Sequence, residues 1–208
     1  MTLAFPAFSS GLVLSLSLIM AIGPQNAHVL RMGLQRQHVW LTIAVCVVSD
    51  VVLIGLGVLG LAQLGGLSDK LLGGLVGAGA LFLAWYGWQA FQRFLHPAVP
   101  AGTAIDVALP LVGRPMSRSQ AVMSALAFTW LNPHAWIDTA VLIGTASLAH
   151  GADNTVFGLG AATGSMLWFL VLGGATVWLG RRLHSLHVWR VLDGLVALMM
   201  AATALWLV

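Results

Sequence analysis

Glutamate is absent from this 208-residue chain, lysine occurs once and cysteine occurs once. Charged residues make up only 7% of it, against 59% hydrophobic residues. A water-soluble domain carries about 25% charged residues, so that class is excluded. The lone Cys46 lies inside an apolar run. It rules out an intramolecular disulfide and reads as a small core residue. The net charge of +3 comes from arginines between apolar runs. Such charge marks a membrane surface, and no nucleic-acid partner is expected. Residues Met1 to Phe8 lack the cationic start of a cleavable secretory signal, so the first apolar run is expected to remain as a helix.

What the chain has is apolar length. Six runs are read at about 8–30, 39–62, 71–94, 119–147, 154–178 and 189–208, each near or above the ~20 residues that a span needs. The expected fold is an all-α membrane protein of six transmembrane helices in the lipid bilayer. Eight arginines fall in alternate connections: Arg31 and Arg36; Arg93, Arg114 and Arg118; Arg181, Arg182 and Arg190. The opposite side holds only Lys70. By the positive-inside rule the arginine connections are cytoplasmic, and both termini lie outside.

The longest connection contains Pro97, Pro100, Pro110 and Pro115. It divides a single transmembrane domain, 1–208, into repeat one (1–95), a connecting loop (96–118) and repeat two (119–208). With three spans each, the halves enter the membrane from opposite sides, as inverted repeats. The spacings Gly73-x3-Gly77 and Gly160-x3-Gly164 allow close helix approach. They are read as packing within one subunit, with a homodimer seam as the alternative.

Two polar interruptions organise the pattern. The first is Gly23-Pro24-Gln25-Asn26, inside the first run; the second is Asn132-Pro133-His134, inside the fourth. Proline removes a backbone donor and glycine lets the chain leave helical angles. Non-helical backbone at membrane depth persists only when buried in protein or lining a cavity. Gly23, Pro24 and Pro133 are therefore read as helix breaks, and the two breaks are expected to face each other around a solute site. A helix restarting after a break offers amides to a carboxylate, and the carbonyls left before it suit an ammonium. A zwitterionic amino acid fits both. The charge tally puts the first break nearer the cytoplasmic face, as an inner entrance, and the second on the route outward.

Few ionisable groups lie deep in the runs. Asp50 sits near the middle of the second, and Asp138 follows the second break. A charge at helix centre costs about 2.5–3.5 kcal/mol on insertion scales, so both are read as cation-binding groups. An aspartate kept for folding alone is the plainer alternative. His134 and Asp138 are four apart and share a helix face. His134 either orients the carboxylate and relays a proton or caps the backbone freed by Pro133; His28 carries the same two readings. Arg31 is read as an interfacial anchor and Asp193 as the partner of Arg190. His184 and His187 lack further metal ligands, so no metal is expected. A hydrolytic set of Ser165, His134 and Asp138 would make the chain an intramembrane enzyme. However, Thr163-Gly164-Ser165 reads more naturally as close packing, and no catalytic residue is assigned.

The chain resembles the LysE/ArgO family of basic amino-acid exporters. The resemblance rests on Gly23-Pro24-Gln25-Asn26-Ala27, Arg31, Gly33-Leu34-Gln35-Arg36-Gln37, Ser49-Asp50, and Thr129-Trp130-Leu131-Asn132-Pro133-His134 with Asp138. These anchors span nearly the whole chain. The related threonine and homoserine exporters look like Pro-Gly-Pro at the first break, where this chain has Ile22-Gly23-Pro24. The resemblance implies a protein of the bacterial cytoplasmic membrane that exports L-arginine or L-lysine without a cofactor, driven by the electrochemical gradient. Asp50, Asp138, Asn26, Gln25, Asn132 and His134 become candidate substrate contacts, and proton exchange is expected from the electrical cost of exporting a cation. Export of neutral amino acids or inorganic cations on the same scaffold is the alternative.

Overall fold

The computed structural model of the chain describes residues 4–21, 23–61, 69–95, 116–180 and 186–207, and every element within them is helical. The first run folds as α1 (Ala4–Ile19) and α2 (Pro24–Leu34), which meet at 75°. Pro24 takes the first helical position of α2, where its missing N–H is no loss. Helix α3 (Val39–Leu56) runs into a π-helical turn, Gly57–Leu61, and is followed by α4 (Asp69–Leu95). Helix α5 (Arg118–Trp130) starts on a capping box in which Ser117 and Gln120 satisfy each other's backbone N–H. After the second break, α6 (Pro133–Ala135) continues through a π-helical stretch, Trp136–Leu142, into α7 (Ile143–Leu148). Helices α8 (Asn154–Gly180) and α9 (Leu186–Leu207) complete the described chain.

These elements coincide with the six apolar runs to within a few residues. By length and composition, Val39–Gly60 and Gly151–Leu179 can each cross a membrane, and the bent α1–α2 pair is a third candidate span. Large apolar side chains face outward on several helices, among them Val13, Val48, Leu81, Val171 and Leu205. Exposed apolar surface of this kind marks contact with a membrane or with protein.

Helix α1 packs along α8, α4 along α9, and α3 stands between α5 and α8. The α1–α8 crossing depends on glycine: a Cβ at Gly11 would sit on the Phe157 carbonyl, and one at Gly160 on the Phe8 carbonyl. The two π-helical stretches cross in the same way, with Gly57 against Ala140, and Gly144 at the start of α7 also meets Gly57. Gly160 and Gly164 thus pack inside the chain, as expected. Gly73 and Gly77 do not; a Cβ at either would meet nothing within 4 Å.

Two side chains find partners across the fold. Arg31 reaches from α2 to α9 and pairs with Asp193 at 3.1 Å, both half-buried. Arg190, read as the partner of Asp193, donates Nε to the Phe94 carbonyl and covers the Phe94 ring. The packing of α2 on α9 thus gives Asp193 a partner far away in sequence, which local spacing did not point to. Residues 96–115, His184 and the His187 side chain lie outside the described residues.

Candidate functional site

One face of α3 carries the site. Cys46, Ser49, Asp50 and Leu53 follow helical spacing, and all four are buried. The first break packs on this face through Gln25, whose Nε2 donates to Asp50 Oδ1 at 3.2 Å. From α8, Ser165 donates its hydroxyl to Asp50 Oδ2 at 2.7 Å. The second break meets the same face one residue away, where Trp130 Nε1 donates to Ser49 Oγ at 3.2 Å. Leu53 packs with Trp136 and Ala140 below it. Both breaks therefore converge on α3.

Asp50 is 1% exposed, and its two hydrogen-bond partners among the described residues are a neutral amide and a neutral hydroxyl. A buried carboxylate held only by neutral donors lacks its electrostatic complement. A bound cation would supply it.

The breaks are finished differently. At the first, Asn26 Nδ2 donates to the carbonyls of Ile19 at 2.6 Å and Ala21 at 2.8 Å, while its Oδ1 accepts from Trp168 Nε1 at 3.2 Å. The carbonyls expected to stand free before the break are thus taken up by Asn26. The restart of α2 has no side-chain cap at Gly23, so its first amides have no such partner. At the second break Asn132 Oδ1 accepts from the His134 N–H at 3.2 Å, and Trp136 Nε1 donates to the Trp130 carbonyl at 3.1 Å. The second break is capped where the first is not.

Asp138 lies with His134, whose Nε2 is 3.3 Å from Asp138 Oδ2, on a more open surface. The π-helical stretch that contains Asp138 is a local irregularity of the kind found at functional sites. His28 is buried and stacks on Phe128 at 4.4 Å between centroids, with Nε2 3.2 Å from Ser124 Oγ. It is a packed core residue and caps no break. Ser165 belongs to Asp50, so it forms no hydrolytic set with His134. Among the described residues, no three metal-ligating side chains gather.

Sequence reasoning missed Ser165 as a partner of Asp50, together with Trp130, Trp136 and Trp168. The available signal was the spacing of Ser165 and Trp168, three residues apart on one face of a fifth apolar run.

The profile of LysE type translocators matches residues 16–208. The chain belongs to this family. An arginine exporter protein ArgO of Pectobacterium atrosepticum is 35% identical over 201 residues, covering 96% of this chain and 95% of that one. The protein of the same name from Serratia proteamaculans is 35% identical over the same shares. Another, from an Enterobacter species, is 36% identical over 93% of this chain and 89% of its own. No solved structure gives a significant match. This LysE-family chain is a membrane translocator, not an enzyme.

Proposed function

We propose that the chain exports basic amino acids, arginine first among them, across the bacterial cytoplasmic membrane in exchange for protons. The observation that carries this reading is Asp50, sealed between Gln25 and Ser165 with no counter-ion among the described residues. The substrate's guanidinium or ammonium displaces the Gln25 amide and supplies the missing charge. Its α-carboxylate takes the uncapped amides at the start of α2, where the helix dipole favours an anion. Asn26 and Asn132 hold the two breaks in shape, Asp138 and His134 lie on the more open route, and Gly23, Pro24 and Pro133 are the points of bending.

Alternating access by two inverted three-span repeats, with both termini outside, completes the proposal. It is supported by pairing at the level of whole segments. The first segment packs on the fifth through α1 and α8, and the fourth packs on the second through α5 and α3. Exchanging the two repeats maps one pairing onto the other. The relatives named as arginine exporters support the substrate.

The test is export of labelled arginine from proteoliposomes. Asp50→Asn, which keeps the size and hydrogen-bonding capacity of the side chain, should reduce export to background while the protein still runs as a single folded species. Undiminished export by that variant would refute the assignment.

A further inference from the structure

The turn joining α2 to α3 contains two non-glycine residues in the left-handed region, Arg36 at φ 56° and His38 at φ 47°. Such residues persist only where their surroundings hold them. Here Met116 does so: its N–H donates to Gln37 Oε1 at 3.1 Å, and its carbonyl lies 2.8 Å from His38 Nε2. Two residues later Arg118 opens α5. The clamp thus sets Arg36 and Arg118 on one cleft of about 490 Å³, whose wall includes Trp40, Leu41 and Val177. Among the described residues no carboxylate lines it, and Trp40 is 55% exposed beside it.

We propose that this cleft seats one anionic phospholipid, its phosphate between Arg36 and Arg118 and the start of an acyl chain against Leu41 and Val177. Two guanidinium groups facing one space, with no acid among the described lining residues, call for an anion, and their planar forks match phosphate oxygens. The apolar wall has no use for a free ion but suits a chain carrying one. Trp40 is an indole of the kind that settles at headgroup depth, and basic clefts between spans are where such headgroups bind. The proposal goes beyond transport and requires only that Arg36 and Arg118 stand at a membrane surface.

Native mass spectrometry of the purified full chain tests it, with phosphatidylglycerol, phosphatidylcholine and glycerol phosphate as probes. One phosphatidylglycerol should be retained at several-fold higher occupancy than phosphatidylcholine. The double variant Arg36→Gln/Arg118→Gln should lower it to the phosphatidylcholine level. Val177→Trp, which fills the apolar wall and leaves both arginines, should lower it as well. Equal retention of the two lipids would overturn the proposal, as would wild-type retention by the double variant. Displacement by glycerol phosphate at matched concentration would instead make this a site for free phosphate and refute the lipid. If the double variant does not fold, Val177→Trp decides, and undiminished phosphatidylglycerol occupancy there overturns the proposal.

Discussion

Ser49 and Asp50 are neighbours on α3 yet serve different breaks: Ser49 accepts from Trp130 ahead of the second, and Asp50 from Gln25 behind the first. One helix face is therefore hydrogen-bonded to both places where a span departs from helical geometry. A shift of α3 large enough to loosen one contact disturbs the other. That linkage suits the alternating access proposed above, because closely packed interiors switch between discrete arrangements.

The Ser165 hydroxyl supplies one of the two hydrogen bonds to Asp50. A hydrogen bond to a charged group is worth about 1.5–3 kcal/mol. Ser165→Ala should therefore slow arginine export by roughly tenfold or more, and Ser165→Thr should retain most of it. Initial rates in proteoliposomes measure both. Wild-type rates for Ser165→Ala would mean that the carboxylate needs no support from α8.

Asn26 satisfies two carbonyls and one indole N–H. Asn26→Leu fills a similar volume and abandons all three, at about 1–3 kcal/mol for each buried group left unpaired. Thermal unfolding in detergent should fall by several degrees. Trp168→Phe removes a single donor and should fall less. Equal midpoints for wild type and Asn26→Leu would show that the first break is held by other contacts.

The segments and breaks were legible because each rests on local chemistry. Apolar length located α3 and α8, and Pro24 and Pro133 marked the departures from helix. Partners across the fold were not legible. Spacing pointed Asp193 to Arg190, three residues away, and gave no sign of Arg31, which the structure joins to it from far away in sequence. Ser165 looked like a packing residue because its neighbour Gly164 does pack, against Leu12 and Ser15 of α1. The π-helical stretch around Asp138 left no sequence signal, since its widened turn arises where Gly57 presses against Ala140.

Arg31 and Asp193 tie α2, which begins at the first break, to α9. Each side chain is about 15% exposed or less, so the pair is shielded more than a surface ion pair. Arg31→Asp or Asp193→Arg alone should destabilise the chain by bringing like charges together. The exchanged double variant should recover much of the loss, with a coupling of about 0.5–3 kcal/mol in a double-mutant cycle. Additive losses would remove the tie between α2 and α9.

The glycines divide by surroundings. Gly11→Val would force a branched side chain onto the Phe157 carbonyl, and backbone cannot yield as a flexible side chain can. Loss of the folded species on gel filtration is expected. Gly77→Val meets open space and should leave the fold unchanged. A change of apparent mass for Gly77→Val alone would place a second copy of the chain on α4, and an unchanged mass would remove this face as a dimer seam.

Proton exchange makes a prediction whose sign follows from the substrate's charge. Arginine carries one net positive charge, and moving it outward against ~100 mV costs about 2.3 kcal/mol. One proton moving inward for each arginine cancels that cost, and two convert it into a driving force. His134 and Asp138 are 3.3 Å apart and less enclosed than Asp50, and under the proposed exchange they are the pair that would carry the proton. With the potential clamped near zero, acidifying the side that receives arginine should speed export, and reversing the pH gradient should slow it. His134→Gln should flatten this dependence while sparing binding at Asp50. Export that ignores the imposed pH gradient would sink proton exchange and leave efflux driven by the arginine concentration alone.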